Sequence, residues 1–322
     1  MRRILAALAF ALLPSLAPAA SGDYPTHTIT MVVPFPPGGV ADITARPLAD
    51  AMGRILGQTV VVENKSGAGG GVGMQYVARA RPDGYTVLMA LSSISIIPEA
   101  DKVLGRDPMF QLSQLVPIAR FTADPTVLAV RADSPYKSVA DLVAAARQKP
   151  GSIPFGSSGN YGTMHVPMEM LSQATGVKML HVPFTGAGPA IVALLGGQVD
   201  ALATGPSTVT GHVRGGKVRV LATWGEGARH PAFPDVPTLR ELGYDVQFSQ
   251  WTGLFVPAGT PEPVVAKLRE AARKAVDDPT FKASLAKVET PIQYLDQPQF
   301  KAFWDADAQK LAAVVRRIGK VE

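Results

Sequence analysis

Residues 28–39 read Thr28-Ile29-Thr30-Met31-Val32-Val33-Pro34-Phe35-Pro36-Pro37-Gly38-Gly39. A β-branched, apolar run that stops at a proline- and glycine-rich corner reads as a buried strand followed by a turn. The next residues, Ala41 to Leu56, place Ile43, Leu48, Met52, Ile55 and Leu56 on or near one helical face. Pro47 inside that helix predicts a kink or a late start. Thr59 to Glu63 is then a second strand, so the opening is a β-α-β unit.

The same rhythm continues outward from it. A glycine-rich loop, Ser66 to Gly73, leads into a helix through Ala80, and Tyr85 to Ala90 is a third strand after the turn Pro82-Asp83-Gly84. A second series follows. It has strands at Val127–Val130, Lys178–Val182, Val199–Ala203 and Val218–Ala222, and Pro154-Phe155-Gly156 ahead of a serine loop. Helices fall at Val139–Gln148, capped by Ser138, at 167–174, and from Pro189 to Gly196. Two long amphipathic helices, near 263–277 and 298–317, end the chain. Strands alternating with helices predict an α/β fold of mostly parallel sheets covered on both faces. Two such series predict two lobes. The stretches Val116–Asp124 and Trp251–Pro257 are the expected crossings. The first lobe would then be discontinuous, 21–122 plus 251–322, with 123–250 as the second.

Residues 1–20 carry Arg2 and Arg3, an apolar stretch from Ile4 to Leu13, Pro14, and Ala17-Pro18-Ala19. That is the pattern of a cleaved secretory leader, too short to span a bilayer. The chain has 322 residues, a formal charge of +5, 18% charged residues and no cysteine. The missing cysteines exclude disulfides, iron–sulfur clusters and thiol nucleophiles. The mild charge, without a basic run, argues against nucleic acid. Export without disulfides points to a bacterial periplasm.

The chemical motifs mostly fail. Gly67-Ala68-Gly69-Gly70-Gly71-Val72-Gly73 misses the dinucleotide spacing, because Val72 or Met74 stands where the third glycine belongs. Gly156-Ser157-Ser158-Gly159-Asn160 resembles a nucleophile elbow with Asn160 in place of the second glycine. A secreted serine hydrolase built on Ser158 remains an alternative. The five histidines form no metal-binding pair, so neither a metal nor another cofactor is expected. The polar residues gather instead at the expected C-terminal ends of strands, in Pro36–Gly39, Ser92-Ser93, Ser157–Thr163, Thr185–Gly188 and Thr204–Ser207. Ligands of open α/β sheets bind there, and helix N-termini with hydroxyls suit a carboxylate. His165 stands beside the serine loop at a helix start. Without a convergent acid–base pair, the pattern reads as binding rather than catalysis.

From Tyr24 onward the chain resembles the extracytoplasmic solute-binding proteins of tripartite tricarboxylate transporters, the Bug family. The resemblance lies in Ile29–Gly39 with Asp42, Val60–Asn64 with Gly67–Gly70, and Pro82–Thr86. It continues in Gly156–Gly159, His165, His181–Phe184, Gly188–Ala190, Leu195–Asp200, Pro234–Thr238 and Val256–Pro261. It implies a two-lobed Venus flytrap of the type II class that closes on a small organic carboxylate and delivers it to membrane permease subunits. The protein would have no enzymatic activity and would be a monomer. It also implies ligand roles for Phe35, Pro37, Gly38 and Gly39 in one lobe and for Ser157, Ser158, Thr163 and His165 in the other. Ser92, Ser93, Thr185, Thr204 and Ser207 occupy further loops of the same set. A ligand-sensing role toward a signalling receptor would use the same pocket. Thr185 stands where many relatives have lysine. Thr204-Gly205 replaces an Asp-Asn pair, which disfavours an amino-acid ligand, and 94–112 departs from the usual Asn-Pro-containing stretch.

Overall fold

The computed structural model describes residues 24–321. The leader read at 1–20 lies outside the described residues. The first sheet is built from β1 (Ile29–Val33), α1 (Val40–Leu56), β2 (Val60–Asn64), α2 (Gly71–Ala78), β3 (Thr86–Leu91), α3 (Ile97–Val103) and β4 (Leu115–Pro125). Next come β5 (Val127–Arg131), α4 (Val139–Gln148), β6 (Pro154–Ser157), α5 (Val166–Thr175), β7 (Leu180–Pro183) and α6 (Ala187–Leu195). This series ends with β8 (Ala201–Thr204), α7 (Pro206–Arg214) and β9 (Val218–Thr223). The chain then returns through β10 (Ser249–Pro257), α8 (Glu262–Ala275), α9 (Pro279–Lys287) and α10 (Gln297–Ile318).

Both sheets have five strands, ordered β2-β1-β3-β10-β4 and β7-β6-β8-β5-β9. In each, a single strand runs against the rest. β10 is antiparallel to both β3 and β4, and β5 is antiparallel to both β8 and β9. Those two are the strands the chain lays down on arriving from the other sheet. The expected α/β architecture of two mostly parallel, helix-covered sheets is therefore present. Among the described residues no helix is long and apolar enough to cross a membrane.

The expected crossings at 116–124 and 251–257 are instead β4 and β10 themselves, paired from Leu115↔Pro257 to Ser249↔Pro125 inside the first sheet. Passage to the second sheet happens just beyond them. Thr126 N donates to Phe248 O at 3.1 Å, Phe248 N to Trp224 O at 3.1 Å, and Trp224 N to Thr126 O at 2.9 Å. This triangle of backbone bonds ties the two passing segments to the end of β9. Both passages are single extended segments, the arrangement of a hinge.

Pro47 does not delay α1, which starts at Val40 and runs through it. The glycine run makes one tight 3₁₀ turn before α2. Gly70 has φ +105°, and a Cβ there would lie 2.8 Å from the Phe35 ring, so only glycine fits. Ser138 caps α4 as expected, accepting from Asp141 N in a reciprocal capping box. Helices α3, α7 and α9 lack a clean apolar period and are not expected from the sequence.

Helix α10 packs on both cores. Phe300 and Trp304 join the first core, where Trp251 and Phe300 meet edge to face at 5.5 Å and Phe255 and Trp304 at 4.9 Å. Each such pair adds about 1 kcal/mol beyond the burial of its rings. Leu311, Val314 and Val315, with Ile96 and Ala100 from the α3 region, join the second core. The Tyr161 hydroxyl donates to Gly319 O at 2.7 Å and accepts from Val321 N at 3.1 Å, fastening the tail to the serine loop. The end of α10 thus belongs to the second core as much as to the first.

Between these halves Asp307 accepts from Trp251 Nε1 at 3.0 Å. Burial pushes its carboxyl up to about 6, although the Trp251 bond and the charges of Lys310 and Arg120 oppose that. A folded value above the unfolded one of about 3.9 means that the folded chain holds this proton more tightly. The stabilisation is full below pH 4 and is lost as pH rises through 6. Asp307→Asn keeps an acceptor for Trp251 and removes the charge. Its melting temperature should therefore lose this pH 4–6 dependence and exceed that of the parent at pH 7, by roughly 3 kcal/mol in stability.

Candidate functional site

The loops at the C-terminal ends of β1, β6, β7 and β8 face one another across the gap between the sheets. Three glycines in the second sheet's loops meet the first. A Cβ on Gly186 would lie 2.4 Å from Pro36 Cδ, one on Gly205 2.4 Å from Val40 Cγ2, and one on Gly159 3.0 Å from Gly69 N. The two halves are thus appressed, with backbone against side chain. At their centre is a cavity of about 10 Å³, lined by Phe35, Gly39, Val40, Leu91, Ser158, Thr163, Met164, Ala187 and Gln250. That holds one water at most. Larger grooves of about 500 and 600 Å³ lie along the end of α1 and against α9, where these loops do not converge.

Each wall is held from behind. Asn64 Nδ2 donates to Phe35 O at 2.9 Å and to Asp42 Oδ1 at 3.0 Å, while Gly38 N donates to Asp42 Oδ2 at 3.0 Å. Burial alone would raise the Asp42 carboxyl. Hydrogen bonds from Arg46, Asn64 and Gly38 outweigh it and hold the group below the usual carboxylate range. Asp42 and Asn64 therefore brace the Pro34–Gly39 corner without reaching the cavity. Across the gap, two histidines do the equivalent work. His181 Nε2 and Ser157 Oγ lie 2.6 Å apart, and Tyr161 N donates to His165 Nδ1 at 3.0 Å. The two rings stack at 4.0 Å, with Phe155 against both. Burial, and then the neighbouring His165, push His181 down to about 3, so it is neutral at any ordinary pH.

Of the residues singled out from sequence, Phe35, Gly39, Ser158 and Thr163 line the cavity. Ser92 and Ser93 are fully buried in the turn after β3, their hydroxyls without a protein partner. Pro37 and Gly38 are exposed at the rim, as is Thr185. Ser157 and His165 are buried behind the serine loop rather than in the cavity. Thr204 Oγ1 pairs with Thr208 Oγ1 at 2.9 Å, and Ser207 is half-buried in the first turn of α7.

Two side chains at the wall hold polar atoms with no partner: Ser158 Oγ and Gln250 Oε1. Gln250 is not among the residues the sequence singles out, because it heads a stretch that reads as a crossing. The available signal is a polar side chain beside Trp251 at the start of an apolar run. The arrangement does not assemble a hydrolase. The histidine that meets a serine meets Ser157 rather than Ser158, and no acid hydrogen-bonds His181 among the described residues. Nor do these residues gather three side chains able to hold a metal.

The appressed glycines give a direct check. Gly205 has ordinary extended angles, so alanine costs nothing locally, but its methyl must displace Val40. Gly205→Ala should hold the halves apart, seen in solution scattering as a larger radius of gyration with an unchanged far-ultraviolet spectrum.

Comparison with known proteins fits this geometry. Residues 44–320 match the model of the tripartite tricarboxylate transporter family receptor. A protein of Cupriavidus necator, described as the UPF0065 protein in the gbd 5′ region, is 37% identical over 98% of this chain and 94% of its own. The solved periplasmic binding protein BugD superposes with a TM-score of 0.86 at 33% identity, over 92% of this chain and 99% of that one. MatC of Rhodopseudomonas palustris, solved with bound malate, gives 0.84 at 31% identity, over 91% and 100%. The chain belongs to the tripartite tricarboxylate transporter receptor family, the Bug solute-binding proteins.

Proposed function

We propose that the protein is a periplasmic receptor that captures a small organic carboxylate between its two lobes and hands it to a membrane permease, without catalysis. The observation that carries this reading is the unpartnered Ser158 hydroxyl, buried in a cavity formed only where the two halves meet. A buried hydroxyl without a partner costs about 1–3 kcal/mol, which a ligand oxygen would restore. The cavity as it stands admits no dicarboxylate, so binding requires the lobes to part and to close again around the ligand, leaving a wider gap than in this structure. A ligand that touches both walls favours the closed state by its extra affinity for it. MatC, with malate bound, supports the ligand class.

In this reading the ligand meets Phe35, Gly39, Ser158 and Thr163, joined by Val40, Leu91, Ala187 and Gln250. Ser157 and His165 position the loop, and Pro37, Gly38 and Thr185 sit at the mouth. The lobes divide at the Thr126 and Phe248 passages, close to the boundaries expected at 122 and 251. Residues 1–20 act as an export leader, and the mature receptor works as a monomer.

A thermal-shift screen of residues 21–322 against mono-, di- and tricarboxylates, with their amides as controls, tests the ligand class. A carboxylate at 100 times its dissociation constant should add about 2.7 kcal/mol of stability, and its amide should add none. A folded protein that no acid stabilises would refute the reading. For the best acid, Ser158→Ala combined with Thr163→Ala should weaken calorimetric affinity by about tenfold or more.

A further inference from the structure

Gln250 comes from β10 of the first sheet and reaches across the gap. Its Nε2 donates to the carbonyl of Thr163, in the second sheet's serine loop, at 3.3 Å. That bond fixes the amide, because the flipped orientation would set Oε1 against the Thr163 carbonyl, two acceptors face to face. Oε1 is therefore committed as an acceptor. It is fully buried, has no protein partner, and lies 3.0 Å from where a Cβ of Gly205 would be, beside the first turn of α7. The side chain as a whole is 2% exposed and lines the same cavity as Ser158.

Resting on the carboxylate reading, we infer that Gln250 selects for a ligand bearing a hydroxyl, taking the ligand's O–H at Oε1 as the lobes close. Serine and threonine hydroxyls can turn to donate to a carboxylate, but a glutamine Oε1 only accepts. A plain dicarboxylate, fully ionised, brings acceptors alone and leaves Oε1 buried and unmet. A hydroxy acid brings the one donor that satisfies it. An ammonium would also donate, but it is a full charge, and no carboxylate lines the cavity to balance it. Asp124, which faces Gln250 in the β4–β10 ladder, lies 3.5 Å from His230. It is not among the cavity residues, and burial pushes its carboxyl up. The charge count thus favours hydroxyl over ammonium.

The same geometry makes Gln250 a reporter of closure. Its amide spans the gap, so the acceptor takes up its place only when the Thr163 loop has arrived. The hydroxyl is therefore read in the closed form, where water is excluded and an unmet acceptor is most costly.

The test is calorimetric titration of the unaltered protein with matched acids: L-malate, succinate and L-aspartate, then citrate and tricarballylate. In the pair that fits the pocket, the hydroxy acid should bind about tenfold or more tighter than its deoxy partner, and L-malate should exceed L-aspartate. Gln250→Met, of similar length and without polar atoms, should bring that ratio to within about twofold by weakening the hydroxy acid alone. Equal affinity for the hydroxy and deoxy acids, an L-aspartate preference, or a ratio that survives in Gln250→Met would overturn the assignment to Gln250 while leaving the carboxylate reading intact. Binding of none of these acids, nor of any other carboxylate, would remove both. Because the ligand comparison is made first on the unaltered chain, poor folding of the variant would not shelter the inference.

Discussion

The hydrogen bond from Thr126 N to Phe248 O, 3.1 Å long, joins the two segments where the chain leaves one sheet for the other. Trp224 closes the triangle from the end of β9. Because each sheet receives its one antiparallel strand from this crossing, neither sheet is complete without it. The arrangement also fixes where motion is possible. β4 and β10 are paired from end to end with two bulges, and the short segments between Pro125 and Val127 and just before Ser249 lie outside the ladders. Helix α10 is a second tie, with its aromatic half in the first core and its aliphatic end in the second. A molecule joined by two strands and one helix can open as a hinge but not fall apart.

That constraint explains how the site is built. The cavity residues come from loops of both sheets, and each loop is braced from its own side. Asp42 and Asn64 hold the Pro34–Gly39 corner, and His165 and His181 hold the serine loop. Asp42 and His165 are buried, Asn64 and His181 half-buried, and His181 is kept neutral by its desolvation, so each wall is held by bonds from its own side. Glycine at 159, 186 and 205 lets the backbones come within van der Waals reach, and Gln250 is the one side chain at the cavity seen to bridge them by hydrogen bond. Braced walls with polar atoms left unpaired at the seam are suited to recognising a small polar ligand.

Much of this was legible in the residues. Periodicity placed β1, α1, α4 and β9 to within one or two positions, because each has an uninterrupted apolar pattern and a defined cap or turn. Ser138 announced α4, and the strand-end loops announced the side on which a ligand would sit. The antiparallel strands were harder. Trp251–Pro257 is buried on both faces and Val116–Asp124 mixes buried with half-buried positions, so neither shows the strict alternation that marks a strand, and both read as connections. Gln250 was missed with them. His165 adjoins the serine loop as its position in the sequence suggests, and its ring stacks on His181 and Phe155, a direction that sequence does not show. Thr204, the last residue of β8, pairs with Thr208 in the first turn of α7. Which rotamer a side chain adopts is set by its packing in the fold, and the periodicity of the sequence does not encode it.

The account rests on one mechanical claim, that a carboxylate brings the two lobes together about the Thr126–Phe248 crossing. The chain has no cysteine, so single cysteines placed at exposed Asp50 in α1 and exposed Gln148 in α4 would carry a donor and an acceptor dye without competing thiols. Single-molecule energy transfer between them, with the acid that stabilises the protein most, measures the gap directly. The account predicts two populations without ligand, and a shift toward the closed one as the acid, but not its amide, is added. A transfer efficiency that stays the same from ligand-free to saturated protein would contradict it.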